Sequence, residues 1–187
     1  MKELLNHMAS IHTISEKNMA VLASICTNIS LKKNAELQPI GHTCRTIYFV
    51  KKGVLRVYYY KDGVDVSESF EFENSIVARV ESLFSGKPSR KAIQCVEDVE
   101  LTAIDATKLF ALYEEHPEIE TLFRKIYEAA YVRTVNRIES LQFHSAEERY
   151  NNLLADHPNV LQKVPLKHIS SFLGITQVSL SRIRAKR

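Results

Sequence analysis

Leu173-Gly174-Ile175-Thr176-Gln177-Val178-Ser179-Leu180-Ser181-Arg182-Ile183-Arg184 is the stretch whose reading decides the fold. Gly174 supplies the positive φ on which helices commonly end, and Thr176 can cap the start of a new helix by accepting from its first turn. Leu180 and Ile183 then stand one turn apart on the buried side of that helix. Working outward, Val164-Pro165-Leu166 opens a preceding short helix that carries Ile169, Phe172 and Leu173. Small Ser170, four residues before Gly174, lets the two helices cross closely. Two helices of about eight to ten residues joined by a glycine turn make a helix-turn-helix, although a helical hairpin with no nucleic-acid role fits the same spacing. Further out, Ser145-Ala146-Glu147-Glu148 has the serine and glutamate of a capping box ahead of Tyr150, Leu153 and Leu154. His157-Pro158-Asn159 breaks the helix that they start.

Charge adds to this pattern. Lys163, Lys167, Arg182, Arg184, Lys186 and Arg187 lie in residues 157–187, which contain no acid, whereas residues 1–156 hold all 22 acids against 19 bases. A basic cluster attracts polyanions through counterion release, and DNA is the commonest such partner; a solvated basic tail is the bland alternative. With Leu180 and Ile183 inward, about 100° per residue puts Val178, Ser181, Arg182 and Ala185 on the outer face of the helix. Arg182 can donate twice to guanine O6 and N7, a contact worth about 1–3 kcal/mol of discrimination, and Val178 can touch a thymine methyl. Thr176, Gln177, Ser179, Arg184, Lys186, Arg187 and Lys167 lie at the flanks and ends, where contacts go to phosphates and set affinity more than sequence preference.

Before this module, Pro117 opens a helix running to about His144, roughly 26 residues and about 39 Å long. Its apolar stripe is Ile119, Leu122, Phe123, Ile126, Ala129, Ala130, Ile138 and Leu141. A helix this long exceeds what a small sheet covers, so part of the stripe should meet the same helix of a second subunit; packing wholly within one chain is the alternative. Arg133, Asn136 and Arg137 interrupt the stripe and make such a seam partly polar. Residues 33–104 read as short strands with glycine turns, the strongest being Val54-Leu55-Arg56-Val57-Tyr58-Tyr59-Tyr60. Asp62-Gly63 should turn this strand into a second one over residues 64–72. Residues 92–96 and 99–104, flanking Glu97-Asp98, read as another antiparallel pair, and residues 3–30 read as helical. The fold class is therefore α+β: a small barrel or β-roll, a long helix and a small all-α C-terminus.

Composition limits the chemistry. Cys26, Cys44 and Cys95 are odd in number and form no CxxC pair, which argues against a disulfide framework, a zinc site or an iron–sulfur cluster. The seven histidines show no ligand spacing, and no metal is expected. No long apolar run and no signal pattern point to a membrane or to export, so the expectation is a cytoplasmic protein with no membrane partner. No P-loop, nucleophile elbow, dinucleotide fingerprint or HExxH is present, so no enzyme is expected.

The order of parts resembles the Crp/Fnr superfamily of bacterial transcription regulators over almost the whole chain. The residues that carry the likeness are Glu148-Arg149-Tyr150 through Val164-Pro165-Leu166, then Leu173 through Arg184 as quoted, and Ile47-Tyr48 to Gly53-Val54-Leu55-Arg56. The resemblance implies a β-roll or jelly-roll-like cyclic-nucleotide-binding-like sensor domain (1–115), a dimerisation helix (116–143) and a helix-turn-helix DNA-binding domain (144–187). It also implies a homodimer on palindromic operators, with a small-molecule effector in the roll. Arg182 matches the family's base-contacting arginine. Gln177 and Val178 stand where many members have arginine and glutamate; without that glutamate the acceptor for cytosine N4 is gone, so the preferred half-site should differ. The family usually continues into a β-hairpin wing, whereas this sequence stops at Arg187, so reliance on the dimer is expected. The phosphate cassette departs as well. Phe72-Glu73-Asn74-Ser75 lacks the cassette glycine, and Pro88-Ser89-Arg90-Lys91 reverses the arginine–serine order. Glu73, Asn74, Ser89 and Arg90 form the candidate ligand set, with Glu73 toward a ribose hydroxyl and Arg90 toward a phosphate of a cyclic nucleotide. Surface salt bridges explain them at least as easily, and no cofactor is expected. The rival reading is a ligand-binding or protein-interaction sensor that has lost DNA binding.

Overall fold

The computed structural model describes residues 1–185, so the expectations for Lys186 and Arg187 lie outside the described residues. Two helices, α1 (Lys2–Ile11) and α2 (Glu16–Ser24), lead in, the second capped by the Ser15 hydroxyl, which accepts from Asn18 N. Then come β1 (Cys26–Leu31), β2 (Glu36–Gln38), β3 (Thr46–Lys52), β4 (Leu55–Lys61), β5 (Val64–Glu71) and β6 (Ile76–Val77). After the short helix α3 (Val80–Ser85) follow β7 (Ala92–Cys95), β8 (Val99–Asp105) and another short helix, α4 (Ala106–Ala111). The strands form two antiparallel four-stranded sheets, ordered β1-β8-β3-β6 and β2-β7-β4-β5. Val50, Leu55, Val57, Ile93, Cys95 and Leu101 fill the space between them. The strand spacing predicts a small barrel or β-roll, and the fold is a roll of two facing sheets.

The β4–β5 hairpin forms as expected, and Asp62 and Gly63 both take positive φ, 52° and 76°, as a tight two-residue turn demands. Two expectations fail. Residues 26–31 are not helical: β1 pairs along its whole length with β8, from Cys26 opposite Ile104 to Leu31 opposite Val99. Thr27 and Ile29 are β-branched, and the pairing available on β8 overrides the helical apolar spacing that precedes them. Nor do residues 92–96 and 99–104 pair with each other. β7 joins β2 and β4, while β8 joins β1 and β3, so Glu97-Asp98 carries the chain from one sheet to the other.

The long helix α5 (Pro117–Phe143) has its proline in the first turn and ends at His144. Its first half buries Ile119, Leu122, Phe123 and Ile126 against α1, α2 and the outer side of the β1-containing sheet, with Leu4, Met8, Leu22, Phe49 and Ile104. Its second half leaves Tyr131, Val132, Ile138, Leu141 and Phe143 exposed, Tyr131 by 71%. Then follow α6 (Ala146–Asp156), α7 (Val160–Lys163), α8 (Leu166–Phe172) and α9 (Gln177–Ala185). The Ser145–Glu148 capping box is complete in both directions. The one-turn helix α7 lies where the sequence pattern carries no helical signal. Tyr150, Leu153, Val160, Val164, Ile169, Leu173 and Leu180 gather around Val54 and Val96 from the roll. The helical module therefore shares its core with the roll. No helix among the described residues is long and apolar enough to cross a membrane.

Candidate nucleic-acid interface

The turn between α8 and α9 is built by Gly174, at φ 69°, with Ile175 N donating back to Ser170 O at 3.0 Å. Thr176 Oγ1 accepts from Ser179 N at 3.1 Å and lies 3.0 Å from Ser179 Oγ. Two of the ten candidate DNA residues thus engage each other in starting the helix. Leu180 is buried and Ile183 half-buried, while Gln177, Val178, Ser181, Arg182, Arg184 and Ala185 are exposed along the opposite side. Val178, at 62% exposure, is the largest apolar side chain on that face. Lys167 is exposed on α8. Two arginines, a hydroxyl, an amide and a valine therefore project from a short helix, an arrangement that can read base edges and hold phosphates.

Not all of the basic cluster faces outward. Lys163 Nζ stands 3.6 Å from Glu73 and 3.5 Å from Glu97, so it spends its charge on the roll. Glu73 also accepts weakly from Gly53 N at 3.5 Å. The other members of the candidate ligand set have local surroundings of their own. Asn74 occupies a left-handed turn with its N–H on Val50 O. Ser89 is buried, its hydroxyl donating to Lys91 O and accepting from Lys91 N, and Arg90 is exposed. Among the described residues no hydrogen bond or ion pair joins Glu73 to Arg90.

The module is held on the roll by groups that the sequence reading did not single out. Arg56, 3% exposed on β4, donates to both oxygens of Asp65 at 2.6 and 2.7 Å, to Gln94 Oε1 at 2.9 Å and to Ser67 Oγ at 3.3 Å. It also reaches His168 Nδ1 on α8 at 2.8 Å. A guanidinium only donates, so Nδ1 must accept, and the imidazole is neutral here. Burial first, and the Arg56 cation second, pull the His168 pKa down to about 4, with Asp65 acting against them. Burial alone would raise the Asp65 carboxyl, but the hydrogen bonds and charge of Arg56 hold it below the usual carboxylate range. Beside this node Ser67 N donates to Ser171 Oγ at 3.1 Å, and Phe70 meets Phe172 with ring centroids 5.2 Å apart. The signal for Arg56 was present: a lone cation in the apolar run Val54-Leu55-Arg56-Val57 has to find partners once buried. Nothing local in the sequence indicates that one of them is His168, 112 positions away.

By sequence, neither a protein-family model nor a curated protein matches the chain. By structure, its fold is that of the Crp/Fnr regulators: a cyclic-nucleotide-binding-like β-roll, a long helix and a helix-turn-helix. FixK2 from Bradyrhizobium japonicum superposes with a TM-score of 0.76 at 18% identity, over 87% of this chain and 84% of that one. A structure described as a Crp/Fnr-family transcriptional regulator from Eubacterium rectale gives 0.74 at 16% identity, over 97% and 87%. CLP of Xanthomonas campestris, a global regulator responsive to c-di-GMP, gives 0.72 at 13% identity, over 92% and 91%.

Proposed function

We propose that the protein is a transcription regulator that binds operator DNA as a homodimer, with α9 in the major groove. The observation that carries this reading is the division of α9. Leu180 and Ile183 anchor it, while Arg182, Ser181, Val178 and Gln177 stand free on the other side of a helix that follows a tight glycine turn. Arg182 reads guanine, Val178 sits against a thymine methyl, and Lys167 and Arg184 contact phosphates. The second half of α5, with Tyr131, Val132 and Ile138 exposed, supports a seam with a second copy. An open groove of about 410 Å³ beside it, lined by Phe84, Tyr113, Tyr127 and Tyr131, extends that aromatic surface. The domain division at residues 115 and 143 belongs to the same reading: roll as sensor, helix as seam, module as reader. A small effector in the roll would act by favouring one orientation of the reader, which requires different affinities for two states.

Selection of random duplexes by the purified protein, beside an Arg182→Ala control, tests the reading. The expected result is an enriched palindrome whose half-sites lie about one helical turn apart and whose guanine preference disappears in the variant. Failure to retain any duplex at low salt, in the presence and absence of cyclic nucleotides, would leave the chain as a sensor module without a DNA role.

A further inference from the structure

The geometry points to Arg137 as the residue that positions the reading helix relative to α5, an inference that rests on the DNA-reading role proposed for α9. Arg137 lies in the exposed half of α5, where the apolar stripe alone assigns it to a polar stretch of the seam. It turns the other way. Its guanidinium donates to Phe172 O at the C-terminal end of α8 and lies over the Phe172 ring, 3.9 Å from the centroid. The same ring meets Phe70 of β5. Phe172 is thus gripped from the roll on one side and from α5 on the other, two residues before the glycine that starts the turn into α9.

A second guanidinium completes the grip. Arg149 of α6 donates from Nε and Nη2 to Leu173 O, at 3.1 and 2.7 Å, and from Nη1 to His144 O, the residue that ends α5. The last carbonyls of α8 have no partners inside their own helix and carry its negative end, so two cations there are stabilised by the carbonyls they bind. Holding them together is costly in itself: burial, and then the neighbouring Arg149 charge, pull the Arg137 pKa down, against Glu68 and Tyr59. A half-buried cation placed beside another cation is a poor way to stabilise a helix that an ordinary cap would serve. It does something that a local cap cannot, because Arg137 and Phe172 belong to different elements. It fixes the angle between the helix proposed to set the two-fold axis and the helix proposed to read DNA. That angle decides the distance between the two reading helices of a dimer, and hence which half-site spacing is accepted.

The test uses the full-length chain with Arg137→Gln and Arg137→Lys. Binding is measured to a single half-site and to palindromes whose spacer is lengthened or shortened by one and two base pairs. Exchange of the backbone amides of residues 166–175 is followed in parallel by mass spectrometry without DNA. Losing a charge-assisted hydrogen bond and its stacking contact should cut the preference for the best spacer by about tenfold in Arg137→Gln and raise amide exchange over residues 166–175 by a similar factor. Half-site affinity should stay within about twofold, because α9 keeps its own surface residues. Arg137→Lys keeps the charge and the carbonyl bond without the flat face, and should fall between. A merely structural arginine would lower all DNA affinities together and leave the spacer ranking intact. Unchanged spacer preference with unchanged exchange would overturn the assignment, as would a uniform loss. If the unaltered protein binds no duplex, the DNA reading fails by itself; amide exchange still decides whether Arg137 holds α8, and unchanged exchange then removes the positioning role too.

Discussion

His168→Asn is the substitution that isolates the contact between the roll and the helical module. In the native fold His168 Nδ1 accepts from Arg56, and the asparagine oxygen can take that place without being able to gain a proton. The histidine pKa falls from 6.5 to about 4 in the fold, through burial first and Arg56 second. Between those values the unfolded chain binds more protons than the folded one, so stability is full above about pH 6.5 and drains away as the pH falls toward 4. For a wholly enclosed imidazole the loss between pH 7 and pH 5 would be about 2 kcal/mol. His168 is only half-buried, and solvent screening reduces this to about 1 kcal/mol, or about 2–4 °C of melting temperature for a chain of this size. Urea unfolding of both proteins at pH 7 and pH 5 reads the difference. Carboxylates titrate in both, as do His7 and His157, whose pKa values burial also lowers, so they cancel in the comparison. The native protein should lose about 1 kcal/mol more than His168→Asn over that interval. Equal losses, or a His168 ring signal titrating at or above 6.5 in the folded native protein, would refute the account of the contact.

Gly53→Ala should destabilise the roll by about 2 kcal/mol or more, since the residue sits at φ 94° and a Cβ would meet Asp98 O at 2.6 Å, measurable as a fall in urea midpoint with the slope retained. Ile138→Glu, placed in the exposed half of α5, should convert the proposed dimer to monomers in sedimentation velocity while leaving the circular dichroism spectrum unchanged; a persistent dimer would put the seam elsewhere.

The parts of this molecule that are legible in its sequence are those decided within a few residues. The Ser145–Glu148 box, the Asp62-Gly63 turn, Pro117 in the first turn of α5 and the Gly174–Thr176 junction each depend on local backbone conformation or hydrogen bonds within a few residues, and all four form. Leu180 and Ile183 set the buried side of α9 by periodicity alone, which leaves Val178, Ser181 and Arg182 outward. What fails is pairing at a distance. Nothing near residues 26–31 reveals that β8 awaits them, and the apolar runs on either side of Glu97-Asp98 look alike although they serve opposite sheets. The same limit hides Arg137. By periodicity Arg137 is a cation that spoils a helix face, whereas in the fold its partner is Phe172, 35 positions later.

The shared core of the helical module bears on how any signal could pass through this fold. Val54 and Val96 belong to the roll, yet they are buried among Tyr150, Leu153, Ile169 and Leu180. Phe72 of the roll stacks on His157, with ring centroids 4.0 Å apart, where α6 ends. Releasing the module would therefore expose apolar surface and leave the buried Arg56 without one of its acceptors, and both cost free energy. A stiff linker between independent bodies would carry no such penalty. An effector of the kind proposed, if it merely filled space in the roll, could not move the helical module; it would have to alter β4 or β5, the strands that carry Arg56, Asp65, Ser67 and Phe70, enough to offset those contacts. Because β5 meets Phe172 through Phe70 and α5 meets it through Arg137, a shift of β5 that failed to carry α5 with it would have to break one of these two contacts.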